Sequence, residues 1–501
     1  MSTPPEKPLL DPDAQTLPRV LTRFDAITVV VGSIIGSGIF LKASTVATEL
    51  GSFVPIMAVW IVVGLVTLCG ALALAELAAM LPQAGGPYVY LREAYGRLPA
   101  FLWGWTEFWI IRTGSLGALA CATVIYGDIL LQAMKAGGLL PAFLYARVPL
   151  SHGSQAVVAL ALTFSVSMIN VIGTKWAAWV QNITSVIKVG FLVFLIVAPF
   201  VLMKADTNNL MPLWPTSVSI SFWQAMGVAM IAVFWPYDGW INIGPVAEEV
   251  REPQKNVPIA LAVGMLIVIV VYLGANISYH LVLPMASVAG SKGVASDVTQ
   301  ALLGPMGVWF AALFVMCSAF GALNSNLLAG PRIYFAMARD NLFPAAIRQV
   351  HPRFQTPAYA ILAQMAWSLV LIVAAYAWTA PQAADPTATA AQTIATPAIQ
   401  PNPAGDAFDA LTDFVIFGGS IFYALAVGAV FVLRRRRPDL PRPYLTWGYP
   451  FTPAFYLLIF VAVLVSLLVG KPLQTIAGSA LIVAGMIVYF IVAKPPPRTS
   501  P

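Results

Sequence analysis

Charge is scarce in this sequence of 501 residues: Asp, Glu, Lys and Arg together make up 10%, against 59% hydrophobic residues. A soluble domain carries about 25% charged residues, so a water-soluble globule is excluded. Histidine is scarcer still, and the three present, His152, His280 and His351, lie at span ends or in loops, far apart in sequence. Neither HExxH nor GxSxG occurs, and no nucleophile-and-base constellation is visible, which argues against a membrane enzyme. The three cysteines, Cys69, Cys121 and Cys317, fall inside apolar runs with no pair at metal spacing. They read as small buried residues, not as a disulfide framework or a zinc site, and neither a metal nor another cofactor is expected. The opening MSTPPEKPLLDPDAQTLPRV lacks the basic start and apolar core of a signal peptide. It is expected to belong to a disordered cytoplasmic tail over residues 1–23, matched by a second tail over 494–501. The net charge of +6 is no nucleic-acid signal, and no nucleic-acid partner is expected.

Apolar stretches are abundant. They fall at about 25–48, 54–80, 100–133, 155–172, 179–203, 222–248, 258–283, 306–338, 358–380, 410–433, 452–470 and 474–493. Each is long enough to cross ~30 Å of hydrocarbon at ~1.5 Å per residue. Only helices and closed barrels satisfy their backbone there, and continuous apolar runs without strict alternation choose helices. The expectation is an all-α integral membrane protein with twelve transmembrane helices in one domain, 24–493. With the N-terminus inside, 19 of the 27 Lys and Arg residues fall in inside segments and 5 outside, while Lys42, Arg112 and Lys188 lie within spans. This bias predicts a cell-membrane protein with both termini cytoplasmic. The run Arg434–Arg437 reads as a topology anchor, and Pro381–Asp409, rich in Ala, Pro and Thr, as a flexible outer loop.

Two spans are interrupted. In the first, AITVVVGSIIGSGIFLKASTVATEL, Gly32, Gly36 and Gly38 stand mid-span beside Ser33 and Ser37. Gly32 and Gly36 alone also fit a packing seam between continuous helices. In the sixth, Pro236 removes an amide and leaves the Ala232 carbonyl unpaired. Asp238 and Gly239 follow, and an aspartate near mid-membrane is functional by default. Paired breaks in the first and sixth spans fit two five-helix repeats of inverted topology and point to a transporter binding site. Repeat one runs about 24–203 and repeat two about 222–433, with helices 11 and 12 at about 452–493. A half-helix starting near Ser37 exposes amides of Ser37, Gly38 and Ile39, which suit a carboxylate. Half-helices ending near Ile34 and Trp235 expose carbonyls, which suit an ammonium. Gly36 lets backbone approach ligand closely. A ligand with both groups on one carbon is an α-amino acid.

Further motifs accompany the breaks: GSIIGSGIF at 32–40, PQAGGPYVYLREAYG at 82–96, IIRTGS at 110–115, YDGWINIGPVAEEVREPQKNVP at 237–258, ARDNLFP at 338–344, and LRRRRPDLPRPY at 433–444 with WGYP at 447–450. Together they resemble the amino acid–polyamine–organocation superfamily, most closely its L-type amino acid transporter branch, from about Arg19 to Lys494. The resemblance implies a leucine-transporter-like (LeuT-like) 5+5 inverted repeat with two peripheral C-terminal helices. It also implies substrate contacts at Ile34, Gly36, Ser37, Gly38, Trp235, Asp238, Gly239 and Tyr272. Trp235 stands where the family usually has a phenylalanine gate. Lys188 matches a fifth-helix lysine of the sodium-independent branch, whose ammonium stands in for a sodium ion at the unwound carbonyls of helix 1. The branch's heterodimeric members carry a cysteine after helix 3. The corresponding loop here, about Lys135 to Gln155, has none, so no disulfide-linked heavy subunit is expected.

Glu248 and Glu249 are candidates for an inner gate with partners such as Arg23 or Arg332, a surface ion pair being the other reading. Glu107 and Arg112, five residues apart, do not share a helix face well and are assigned no role. The expected function is sodium-independent amino acid transport, with exchange of neutral amino acids favoured and proton-coupled amino acid or polyamine symport as the alternative. The small-molecule substrate and the lipid bilayer are the expected partners. A channel would call for a filter motif or charge rings, which are absent, and a nutrient-sensing receptor is the remaining rival.

Overall fold

Helix ends fall where the sequence supplies caps. Helix α1 (Arg23–Ile34) starts at a capping box, in which the Thr22 amide donates to Asp25 Oδ2 at 2.7 Å and the Asp25 amide to Thr22 Oγ1 at 3.3 Å. Helix α2 (Gly38–Leu50) stops at Gly51, whose φ of 55° is left-handed. The computed structural model describes residues 16–379 except Lys292 and 403–492 except Lys471. Among them the chain is all-α, without strands apart from one isolated bridge between Leu21 and Val250.

The elements continue as α3 (Phe53–Met80), α4 (Pro87–Tyr95), α5 (Arg97–Thr106), a π-helical turn (Glu107–Ile111), α6 (Arg112–Ala136), α7 (His152–Ile172), α8 (Thr174–Val201), α9 (Ile220–Tyr237) and α10 (Pro253–Val282). Two short helices, α11 (Met285–Ala289) and α12 (Val294–Leu303), precede α13 (Pro305–Arg339), α14 (Ala358–Trp378), α15 (Pro403–Arg436), α16 (Phe451–Gly470) and α17 (Pro472–Val492). Among the described residues nine helical segments are long and apolar enough to cross a membrane. Their outward faces are apolar: Leu266, Val270 and Ile277 on α10, and Val186, Val193 and Val197 on α8, are exposed at helical spacing. That is the pattern of a surface in contact with lipid.

The interrupted first span lies at the centre. Helix α1 packs on α8, α10 and α13, while α2 packs on α9 and α11. The glycines divide their duties. A Cβ on Gly32 would meet Gln181 Nε2 at 2.1 Å, so Gly32 is a packing seam against α8. On Gly36 it would meet nothing closer than 3.8 Å.

Three expectations change. The sixth span is helical only to Tyr237, and two 3-10 turns, Trp240–Ile243 and Ala247–Glu249, replace the helix expected to 248. Helix α15 begins at Pro403, so 403–409 of the expected outer loop are helical, and 380–402 lie outside the described residues. Leu17 and Leu21, placed in the N-terminal tail, are buried; 1–15 and 493–501 lie outside the described residues. Within the run read as a topology anchor, Arg434 turns inward and forks onto buried Glu76 at 2.8 and 2.6 Å.

Candidate functional site

The chain between α1 and α2 is open backbone from Ile35 to Ser37, and neighbouring helices hold its carbonyls. Lys188, fully buried on α8, donates to Gly32 O at 2.8 Å. Ser318 on α13 donates to the carbonyls of Ile35 (3.2 Å) and Gly36 (3.1 Å), and Ser33 hydrogen-bonds Ser325. Gly321 leaves room for the lysine, since a Cβ there would lie 2.9 Å from Lys188 Cε. Tyr272 on α10 places its hydroxyl 3.1 Å from Ile34 O and 3.0 Å from Pro236 O. The amides of Ser37 and Gly38, by contrast, make no hydrogen bond to any described residue.

The second interruption falls at Asp238 and Gly239. Pro236 sits within the last turn of α9, and the turn after it is reversed by Gly239 at φ 111°. A Cβ on Gly239 would lie 2.7 Å from Ser33 O, and one on Gly38 2.9 Å from Pro236 Cα, so the two breaks touch through glycines. The Trp235 carbonyl, expected to receive a ligand ammonium, accepts the Asp238 amide at 3.1 Å. The Ile34 carbonyl, expected for the same purpose, faces Tyr272. The anionic partner that stays open is Asp238 itself, whose buried Oδ1 makes no hydrogen bond among the described residues.

Ser37, Gly38 and Asp238 line one chamber of about 70 Å³, together with Ile34, Gly36, Trp235 and Gly239, whereas Tyr272 and Lys188 stand behind the broken backbone and are not part of its lining. Side chains assigned no role from sequence complete it: Arg112, Asn242, Asn326 and Tyr423. Glu107 and Arg112, which do not share an α-helical face well, are nevertheless paired. The π-helical turn Glu107–Ile111 bonds with a five-residue step, and it brings Arg112 Nε to 2.5 Å from Glu107 Oε2. Arg112 Nη1 donates to Asn242 Oδ1 at 2.6 Å, which ties it to the 3-10 turn after the second break, and Nη2 makes no hydrogen bond among the described residues. One signal in α13 was present in sequence: Ser318 and Ser325, seven residues apart, put hydroxyls on one face of an apolar helix.

Two ion pairs gather at the turn that follows the second break. Arg332 reaches Glu249 at 2.7 Å, both carboxyl and guanidinium being buried, with Thr174 donating to Glu249 Oε2 at 2.7 Å. This is no surface pair, and Arg332, counted among inside charges, lies within α13. Arg339 forks onto Glu248 at 2.9 Å to each oxygen, and the amides of Leu17 and Ala84 donate to the same carboxylate at 2.8 Å. Burial alone pushes the Glu248 carboxyl up, but the Arg339 hydrogen bonds and charge, with the two amides, hold it below its ordinary value of 4.5. Arg23, the other candidate partner, bonds Asn256 instead.

A buried polar chamber between two interrupted helices, inside an apolar helical shell, defines a solute-handling membrane protein. The chain belongs to the amino acid permease family, whose profile matches residues 21–492. It is similar to a serine/threonine exchanger, SteT, of Bacillus subtilis (strain 168), with 30% identity over 94% of this chain and 95% of that protein. Homo sapiens relatives include the cystine/glutamate transporter, 26% identical over 95% of this chain and 85% of its own length. Another is large neutral amino acids transporter small subunit 2, at 28% over 93% and 79%. The chain is a membrane transporter, not an enzyme.

Proposed function

We propose that this protein exchanges small neutral L-amino acids across the cell membrane by alternating access and without sodium. The carrying observation is the pairing, across one chamber, of free amides at Ser37 and Gly38 with the unpartnered carboxyl oxygen of Asp238. The amides and the positive end of α2 take the substrate carboxylate, and Asp238 takes the ammonium. Exchange is favoured by the name of one relative, the serine/threonine exchanger. A chamber of about 70 Å³ is far below the ~300–1,000 Å³ of drug-sized pockets, which favours small side chains. Arg112 Nη2, Asn242 and Asn326 favour a side chain that carries an acceptor, such as a hydroxyl.

In this reading the chain has twelve spans. The α1–α8 half and the α9–α15 half are inverted five-helix repeats, at about 24–203 and 222–433, and α16 and α17 are peripheral. Both termini are cytoplasmic, and the Glu248–Glu249 gate is the inner one. The Lys188 ammonium occupies the place of a sodium ion, and Trp235 is the outer shutter of the chamber. The protein works without a disulfide-linked heavy subunit.

The test is exchange of labelled L-serine in proteoliposomes, with and without sodium and a pH gradient. Accelerated uptake into preloaded vesicles, unchanged by either gradient, is expected; uptake that saturates but ignores preloading counts against exchange. The open Asp238 oxygen favours one second reading, proton-coupled amino acid or polyamine symport. Uptake driven by a pH gradient into empty vesicles, and abolished in Asp238→Asn, would select it.

A further inference from the structure

Above the chamber, on the side away from Glu248 and Glu249, lies a larger cavity of about 640 Å³. Gly38 and Trp235 line both spaces, so the first turn of α2 and one indole are the partition between them. The cavity is within the size range of small-molecule sites.

Its charges are few and opposite. Among the described residues lining it, Lys42 on α2 and Asp297 on α12 are the only charged side chains. Lys42 makes no hydrogen bond or ion pair with any described residue, although it stands within an apolar span and is only partly exposed. Asp297 accepts from Ser291 and is otherwise open. A lysine beside an aromatic-walled membrane cavity is costly unless a partner completes it. Tyr126, Ser296 and Gln300 supply neutral donors and acceptors on the same wall.

We propose that this vestibule is a second binding site for a zwitterionic amino acid, in which the Lys42 ammonium takes the carboxylate and the Asp297 carboxylate takes the ammonium. The site repeats the charge pattern of the inner chamber with side chains in place of backbone. A substrate held there waits against Trp235 and enters when the indole turns aside. The inference rests on the amino acid reading of the inner chamber and extends it to an outer one.

The experiment measures equilibrium binding of labelled L-serine to the protein in lipid nanodiscs, and exchange kinetics from each side of oriented proteoliposomes. The intact protein is expected to bind two serines per chain, and Lys42→Ala or Asp297→Asn one. Either variant raises KM on the vestibule side about tenfold, the loss of one charge-assisted hydrogen bond, and leaves KM on the opposite side within about twofold. Ethanolamine and L-lactate, each with one of the two charges, do not displace the second serine. The double exchange Lys42→Asp with Asp297→Lys restores the second serine, which a merely structural role for either residue would not do. One serine per chain in the intact protein, or an unchanged vestibule-side KM in both single variants, overturns the second site while exchange itself stands. Absence of any exchange by the intact protein overturns both readings.

Discussion

The Tyr272 hydroxyl lies 3.1 Å from the carbonyl oxygen of Ile34, the last residue of α1. The same oxygen is 3.0 Å from the carbonyl of Pro236, beside the second break. One phenol on an unbroken helix therefore ties together the two broken ones, and it occupies a carbonyl that would otherwise be open to a substrate ammonium. The two breaks are held in register before any ligand arrives.

Tyr272→Phe keeps the ring and removes the tie. Two buried carbonyls then lose a donor, at a cost of about 1–3 kcal/mol. The expected result is a lower denaturation midpoint in detergent and a raised KM for exchange. An unchanged midpoint would show that the hydroxyl carries no load.

Lys188 bonds the Gly32 carbonyl from a fully buried position. Lys188→Ala removes the donor, leaves that carbonyl unpaired and opens space between α8 and α13. Exchange in proteoliposomes is expected to fall at least about tenfold, the effect of ~1.4 kcal/mol. Uptake by the unaltered protein is expected to be the same in sodium and in choline. A sodium-dependent rate in the intact protein counts against the lysine taking the ion's place.

Much of this site is legible in sequence because glycine and proline act locally. Gly36-Ser37-Gly38 marks the first break within a residue of its place. The sixth break, expected over Pro236–Gly239, falls at the Asp238–Gly239 end of that range. A proline keeps helical φ and forfeits one hydrogen bond without turning the chain, whereas reversing the chain needs the positive φ of Gly239. The Glu107–Arg112 pair was illegible for a different reason. Apolar periodicity reports a step of about 3.6 residues, and it does not show where a π turn inserts a five-residue one. The depth of Arg332 was hidden too, since a basic residue near a span end has the same sequence appearance whether it faces water or a buried glutamate.

The Glu248 latch sets a pH window. Its folded-state value lies below the ordinary 4.5. Its stabilising contribution is therefore complete above about pH 4.5 and is lost as pH falls through the lower folded value. Between pH 5 and 8 the latch is constant, so variation of exchange rate in that range arises elsewhere. Glu248→Gln is expected to flatten the acid limb of a plot of thermal midpoint against pH and to lower the midpoint at neutral pH. An acid limb as steep as in the intact protein would place the titration on another group.

The Glu249–Arg332 pair makes a sharper distinction, because both members are buried. A buried ion pair adds little over a well-packed apolar pair, whereas removing one partner strands a charge at a cost of about 3–5 kcal/mol. In Arg332→Leu, Glu249 keeps only Thr174 as a side-chain donor. In Glu249→Leu, Arg332 retains the same threonine. If Glu249 and Arg332 form the proposed inner gate, both single variants are expected to open it and shift the chain toward the state that faces that side. A cysteine introduced near Leu17 or Ala84, the backbone donors to neighbouring Glu248, then labels faster with a thiol reagent from that side. The double variant, with leucine at both positions, strands no charge and is expected to label more slowly than either single variant. If the double variant labels as fast as the sum of the two effects, the residues are not coupled, and the gate is held by packing of α1 and α13 instead of by this ion pair.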